Sequence, residues 1–269
     1  MKRILLTIMV LSIGVSAFAQ DQPAAQQRKK FKMGFIVAPS VDWLGVGTQD
    51  VSLDAAKVKF QYGIVTEFVF GNNYALVTGI EHKLGGAKLD FTKMAGDSLD
   101  LTKVPHYTSV DDSTYYLDKR NYKLDYVNIP LTLKLMTNQI GYFTYFGKFG
   151  VDLAFLVRAR ADDEGHYENT PGVNEEVDNL SIYKQVGFFN VGLNVGAGAE
   201  WNFSGNTSLV FGVSYHHGFM DVLRDATDDG VANDQMLATW SDSPLNKVSA
   251  PFAVKANLQY VTLDVGVLF

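Results

Sequence analysis

The strongest constraint on the fold lies in Ala253 to Phe269, AVKANLQYVTLDVGVLF. Val261, Leu263, Val265, Val267 and Phe269 share one register, and Tyr260, Thr262, Asp264 and Gly266 share the other. A period of two means a strand with one apolar face and one mixed face. Such a strand is stable only when both edges find partners and the apolar face leaves water. The same period recurs upstream, so the fold turns on what medium the apolar faces meet.

Composition narrows the answer. The chain has 269 residues, with 24 Gly, 18 Phe and 13 Tyr against 7 Pro, and no long amphipathic helix is visible. Mean hydropathy is close to zero, which excludes a helical membrane protein but suits a barrel with a polar interior. A net charge of −6 excludes a strong nucleic-acid signal, because phosphate binding needs a clustered basic face. With no cysteine there is neither a disulfide framework nor thiolate chemistry. The opening MKRILLTIMVLSIGVSAFAQ has the charged, apolar and small-residue regions of a secretory signal, with cleavage expected after Ala19. Residues 1–19 are therefore expected to be a signal peptide, residues 20–30 a polar periplasmic tether containing Arg28-Lys29-Lys30, and residues 31–269 one barrel domain.

Eight strands are expected. The first runs from Phe31 to Val41, and a looser segment follows from Asp42 to Ala56. The next two are Lys57 to Phe70 and Tyr74 to about Gly85, joined by a Gly71-Asn72-Asn73 turn. A polar excursion spans Gly86 to Asn121, its flanks being candidates for strand extension. The fourth strand, Leu124 to Met136, contains Pro130, where a local break in pairing is expected. The fifth is Ile140 to Ala161, followed by an acidic loop from Asp162 to Ser181. Ile182 to Phe203, Thr207 to Phe219 and the closing segment complete the set, with a last acidic excursion from Met220 to Pro251. Short Gly/Asn turns alternate with long polar connections. In a lipid bilayer, strands must close on themselves, because an open edge there has no water to satisfy it. The expectation is thus an all-β, eight-stranded antiparallel transmembrane β-barrel with short periplasmic turns and long extracellular loops. A soluble sandwich or lipocalin is the alternative. It would bury the aromatic faces and leave Lys148, Arg158 and Glu200 to water.

The stretches FKMGFIVAPSV, VTGIEHKLGG, YVNIPLTLKL and VGLNVGAGAEW, with the aromatic end, resemble the PorT-like outer-membrane β-barrel family of Bacteroidetes. The final strand resembles the closing strand of such barrels, where Val265, Val267 and Phe269 would form the signal read by the barrel-insertion machinery. The resemblance covers the mature chain. It implies outer-membrane lipid and lipopolysaccharide as surroundings and envelope or secretion proteins as partners. It implies no cofactor.

Alternation places Lys32, Lys83, Lys134, Lys148 and Arg158 in the lumen with Glu67, Glu81, Asp152, Glu200 and Asp264. An eight-stranded barrel is narrow enough for side chains to fill, so a paired ionic core is expected rather than an ion path. Asp225, Asp228 and Asp229 begin like a calcium loop, but Met236 stands where the closing Glu would be, and no metal site is expected. Ser214, His216 and His217 form the closest approach to a catalytic grouping. Ser214 and His216 face the lumen and His217 faces lipid, with no supporting motif, while His106 and His166 lie in loops. The chain is therefore read as non-enzymatic. Tyr107, Tyr115, Tyr116 and Tyr167 are expected in exposed loops, suited to adhesion. A narrow passive pore and an outer-membrane lipid- or peptide-hydrolysing enzyme are the alternatives.

Overall fold

A computed structural model describes residues 29–95, 106–108, 114–169, 173–204, 207–223, 247–248 and 254–269. Runs of alternating residues, interrupted at Gly/Asn turns, produce twelve strands among the described residues. They are β1 (Phe31–Val46), β2 (Ser52–Val69), β3 (Tyr74–Gly85), β4 (Ala87–Asp90), β5 (His106–Thr108) and β6 (Thr114–Met136). After them come β7 (Phe143–Tyr167), β8 (Glu175–Ser181), β9 (Phe189–Ser204), β10 (Thr207–Gly218), β11 (Lys247–Val248) and β12 (Ala256–Leu268). Eight long strands pair in one antiparallel circuit, β1–β2–β3–β6–β7–β9–β10–β12, and β12 pairs back to β1. The circuit is a closed eight-stranded barrel, which leaves no long strand edge free.

Both in-strand prolines sit where pairing with one neighbour lapses. Between β3 and β6 the register passes from Thr78↔Leu131 to Glu81↔Asn128, skipping Pro130. Between β1 and β12 it passes from Val37↔Val265 to Ser40↔Thr262, skipping Pro39. Proline has no N–H to give the ladder, so each gap falls on the side where a donor is missing.

The outer surface of one section is apolar. Phe31, Met33, Phe35 and Val37 on β1, Phe60, Tyr62, Ile64 and Phe68 on β2, Phe149 and Val151 on β7, and Leu263, Val265 and Val267 on β12 are all exposed. Along β7 this surface runs from Phe143 to Phe155. At about 3.3 Å per residue and a tilt near 40°, that is about 30 Å, the thickness of a bilayer's hydrocarbon core. Aromatic pairs mark both margins of the belt. Phe70 stacks on Tyr74 and Phe143 on Trp201 at the end carrying the chain termini, and Trp43 stacks on Tyr215 toward the other, the loop end. Rings of this kind sit where hydrocarbon gives way to headgroups.

Beyond the belt one side of the cylinder is taller. β6 and β7 run 23 and 25 residues against 12 and 13 for β10 and β12. β4 continues β3 past Gly86 and pairs with both β2 and β6, while β8 adds to the edge of β7. Several segments expected as loops are therefore strand. Asp42 to Ala56 divides between β1 and β2 with only a short turn between them, and much of Asp162 to Ser181 is paired; the flanks of Gly86 to Asn121 are strand, as expected. The sixth expected strand begins later than Ile182, at Phe189, and Ile182 itself is buried.

Two bulges explain a second correction. Asp125 pairs with Arg158 but Tyr126 pairs with Leu156, so Val157 is an extra residue in β7; Asp118 is likewise extra in β6. One extra residue inverts the faces beyond it. Leu156, just before the bulge, still points inward in the lower register; beyond it Ala159, Ala161 and Asp163 point inward instead, and Arg158, expected in the lumen, stands outside with its side chain 60% exposed.

Candidate functional site

The lumen is built in tiers. Nearest the termini, Lys134 Nζ lies 3.1 Å from Glu67 Oε2 and also contacts Glu200, while Lys32 reaches Glu200 Oε2 at 2.9 Å. The Lys134 ammonium also sits 4.5 Å from the Phe146 ring centroid, a cation–π contact inside the barrel. The glycine-rich face of β9 makes this possible. A Cβ at Gly198 would lie 2.6 Å from the Phe146 ring, and one at Gly196 would lie 2.9 Å from Lys148 Cε. Met136, Phe146 and Ala75 form an apolar collar beside this tier.

In the middle tier Asp264 gathers donors. Lys148 Nζ donates at 2.7 Å, Ser214 Oγ at 2.5 Å and Thr262 Oγ1 at 2.8 Å. Asp152 accepts from Asn194 Nδ2 at 2.5 Å and lies 2.6 Å from His216 Nδ1. Glu81 accepts from Gln61 Nε2. The Ser214 hydroxyl is thus committed to Asp264 and His216 to Asp152, so neither is arranged as nucleophile and base toward the other. These groups border a cavity of about 70 Å³. A second cavity of about 30 Å³ lies between Tyr126, Asn128, Asn190 and Tyr260, and Asp152 and His216 border both.

In the third tier Lys83 donates to Asp42 Oδ1 at 2.8 Å and to Ser40 Oγ at 2.6 Å. The Tyr260 ring is a shared wall, with Lys83 Nζ 4.1 Å from its centroid and His216 stacked on it at 4.3 Å and 8°. Asp42 escaped the sequence reading because β1 was expected to stop at Val41; carrying the same alternation to Val46 puts Ser40, Asp42 and Leu44 on the inner face.

Above this the interior changes character. Leu44, Leu124, Leu156, Leu258, Ala256 and Ala159 join Ile182, Val186, Val222, Leu223 and Val254 in one buried apolar cluster. The cluster continues up the taller wall through Leu89, Phe91, Leu117 and Tyr122. Embedded in the wall, Arg120 grips Asp163 with both Nε and Nη2 at 2.6 Å, and both side chains are fully buried. Although burial disfavours its charge, Asp163 and Tyr122 hold Arg120 above its ordinary range. Burial pushes the Tyr122 phenol up to about 12. Tyr115, expected in an exposed loop, is wholly buried and donates from its hydroxyl to the Glu175 carbonyl at 2.9 Å. Its burial pushes the phenol upward too. Tyr167 packs edge-on against Tyr115, and Tyr116 packs on His166, whose Nδ1 lies 2.9 Å from Asp118.

The outer face of this wall is polar and cross-linked. Lys119 bonds Asp54 at 2.8 Å, Lys88 bonds Glu164 at 2.6 Å and Lys123 bonds Asp162 at 2.5 Å. The hydrogen bond from Lys119 lowers the Asp54 carboxyl below its ordinary range. Partial burial acts against Asp162, but Lys123, the Asn179 amide and Asn121 outweigh it and lower that carboxyl as well.

Among the remaining candidates, Val265, Val267 and Phe269 lie on the outer surface, and the Phe269 backbone exchanges hydrogen bonds with Met33 at 2.9 and 3.1 Å. Asp225, Asp228 and Asp229 and residues 1–19 lie outside the described residues, as do the side chains of His106 and Tyr107. Among the described residues no group of three His, Asp or Glu side chains is placed to hold a metal ion.

The chain is similar to solved structures of outer-membrane proteins. Neisserial surface protein A is 12% identical with a TM-score of 0.41, over 90% of this chain and 98% of that one. OprG from Pseudomonas aeruginosa is 13% identical with a TM-score of 0.42, over 89% and 95%. The outer membrane protease OmpT from Escherichia coli is 8% identical with a TM-score of 0.35, over 92% and 99%. Scores this low carry no argument about activity. No curated protein matches the sequence. Residues 18–224 match the family described as outer membrane protein beta-barrel domain, and this match, spanning most of a chain whose strands close into an apolar-belted cylinder, shows that the protein belongs to that family.

Proposed function

We propose that the protein is a non-enzymatic barrel that does not conduct, and that it works by presenting its loop end to other envelope components. The apolar cluster above the third tier carries this reading. Side chains from β1, β6, β7 and β12 meet there with Ile182, Val186 and Val222 in continuous contact, and a pore would need water where these groups touch. An eight-stranded barrel leaves little room to begin with. The taller wall, held by the Arg120–Asp163 pair and a ladder of outer ion pairs, suits a rigid docking platform. On this reading the termini lie in the periplasm and the wall projects from the cell. The resemblance to PorT-like barrels makes components of protein secretion the first partners to seek, with barrel-insertion machinery acting on the closing strand. The commitment of Ser214 and His216 to separate carboxylates supports a non-catalytic lumen.

Two measurements test the proposal. In planar bilayers the reconstituted barrel is expected to give no unitary conductance steps, and stable steps would return the narrow-pore alternative. Affinity purification of a tagged copy from gently solubilised outer membranes is expected to recover a stoichiometric envelope protein, with the yield lost when the wall is destabilised. Recovery of the barrel alone, unaffected by such variants, would remove the docking role.

A further inference from the structure

The loop-end margin of the belt differs from one side of the barrel to the other. On the β1, β10 and β12 side Trp43 stacks on Tyr215, whose hydroxyl donates to Gln259 at 2.9 Å, a neutral aromatic edge. On the β6 and β7 side the margin is cationic. The bulge at Val157 leaves Arg158 outside, and Arg160 takes the same face because Ala159 between them is buried. β7 leaves the belt at Phe155. At about 3.3 Å per residue and a tilt near 40°, the two arginine backbones stand about 8 and 13 Å beyond that point. Headgroups occupy roughly the first 5–8 Å outside the hydrocarbon, a depth that the long arginine stems reach.

These cations are only partly answered by protein. Arg158 spends Nε and Nη2 on a single oxygen of Asp125, at 2.6 Å each, and its Nη1 has no partner among the described residues. Arg160 donates to the Asn179 carbonyl at 3.3 Å and meets no carboxylate among the described residues. Lys123, opposite Arg160 in the ladder, bonds Asp162. Three cations therefore face two carboxylates, and the surplus sits on Arg160.

An apolar shelf lies at the foot of the same patch. Val157, Tyr183 and Phe188 are 55%, 43% and 57% exposed. The Phe188 ring meets Phe155 edge-on at 6.2 Å, and the Tyr183 hydroxyl donates to the Leu156 carbonyl at 3.4 Å, so the shelf continues the belt. Guanidinium groups set above exposed aromatics at the hydrocarbon margin match an amphiphile with an anionic head and acyl chains. An acidic soluble protein would match the cations alone. Arginine's planar donors suit phosphate, and two of them on alternate residues, about 7 Å apart along the strand, suit a monoester, which carries more free oxygens and more charge than a diester.

We infer that this margin of the barrel binds one outer-leaflet lipid whose headgroup carries phosphate monoesters. Arg158 and Arg160 hold the phosphate, and the acyl chains lie over Val157, Tyr183 and Phe188. The choice of leaflet rests on the orientation proposed above, in which the wall projects from the cell.

The test mixes the full barrel in detergent micelles with lipid A, with lipid A stripped of its phosphates, or with phosphatidylglycerol. Native mass spectrometry counts the retained lipid, and urea unfolding reports its effect on stability. One lipid A per barrel is expected, with a midpoint that climbs with its concentration. Arg160→Gln breaks no ion pair and is expected to weaken lipid A retention about tenfold, the loss of one charge-assisted contact. Arg158→Gln would strand Asp125, so it is combined with Asp125→Asn, and that double variant is expected to weaken retention similarly. Equal retention of the phosphate-free lipid would overturn the inference, assigning binding to the apolar shelf. Equal retention of phosphatidylglycerol would overturn the choice of monoester, and retention unchanged in both variants would overturn the assigned residues. No partner protein is present, so these outcomes do not depend on the docking role. The orientation is tested separately. The chain has no cysteine, so Glu176→Cys on the exposed β8 supplies a single thiol, expected to react with a membrane-impermeant reagent on whole cells. Reaction only after lysis would overturn both that orientation and the outer leaflet as the source of the lipid.

Discussion

The barrel has two sections with opposite insides. In the membrane section the outer face is Phe, Val, Leu and Ile, and the interior is Lys, Glu, Asp, Asn and Thr. In the wall above it the interior is Leu89, Phe91, Leu117, Tyr122 and Ala161, while Lys88, Lys119, Lys123, Asp162 and Glu164 line the outside. The backbone is continuous between them, since β6 and β7 pass through both. What changes is the solvent. Hydrocarbon offers no hydrophobic gain for burying leucine and a severe penalty for an exposed charge, whereas water reverses both terms. One sheet thus switches from an inverted core to an ordinary one within a few residues, close to the bulge at Val157, where the inward register also shifts.

The deepest difference lies in what a buried ion pair does in each section. The Arg120–Asp163 pair sits within the apolar cluster of the wall, and Arg120 donates a further bond from Nη1 to Gln185 Oε1 at 3.0 Å. Arg120→Ala strands a buried carboxylate and is expected to cost about 3–5 kcal/mol, whereas replacing both partners by Met and Leu should cost much less, the remaining loss being the Gln185 bond. Urea unfolding in micelles, followed by protease access to the wall, measures both. The same double replacement at Lys134 and Glu67 should not be neutral, because Glu200 would lose one of its two lysines. If the two doubles behave alike, the contrast between the sections fails at its centre.

Outer faces provide the next test. Phe149 lies halfway along the β7 belt, and Phe149→Arg is expected to cost about 2–4 kcal/mol of folding into lipid vesicles. The converse change in the wall, Lys123→Phe, removes an ion pair whose lysine is 46% exposed and should cost less than about 1 kcal/mol. A gain in stability from Lys123→Phe would mean that the belt ends higher than the Trp43 and Tyr215 rings suggest.

The same contrast explains how much of the molecule could be read in its sequence. β3 spans Tyr74–Gly85 as expected, because glycine and asparagine bound it and its outward residues are large and apolar. The wall reads in the sequence as loop with candidate strand flanks, for a physical reason. Its outward residues Lys119, Asn121 and Lys123 are polar, its inward residues include Arg120, and the extra residue at Asp118 interrupts the period. Alternation also assigns a residue to a face without naming its partner. Lys134 meets Glu67 and Glu200 across 67 and 66 residues, and only the strand register decides that. Arg158 shows the limit most plainly, since one unseen bulge moved it from lumen to surface.

The smallest expected effect concerns acid, and it separates the sections without a mutation. Lys119 holds the Asp54 carboxyl below its ordinary value, and Lys123 with the Asn179 amide does the same for Asp162. A carboxyl with a lowered folded value stabilises the folded form above its unfolded value of about 4 and gives that up as the pH falls through the folded one. The outer ladder of the wall should therefore be intact at pH 6 and weakened by pH 3. Because these pairs face water, the loss should be modest and local. Hydrogen exchange would read it as faster exchange in β4 and β8 than at pH 6, after correction for the intrinsic rate, with the belt portions of β7 and β9 unchanged. Belt strands loosening in parallel with β4 would show that the sections unfold as one unit. A wall that responds alone would mean that hydrocarbon and water stabilise two separately cooperative parts of a single sheet.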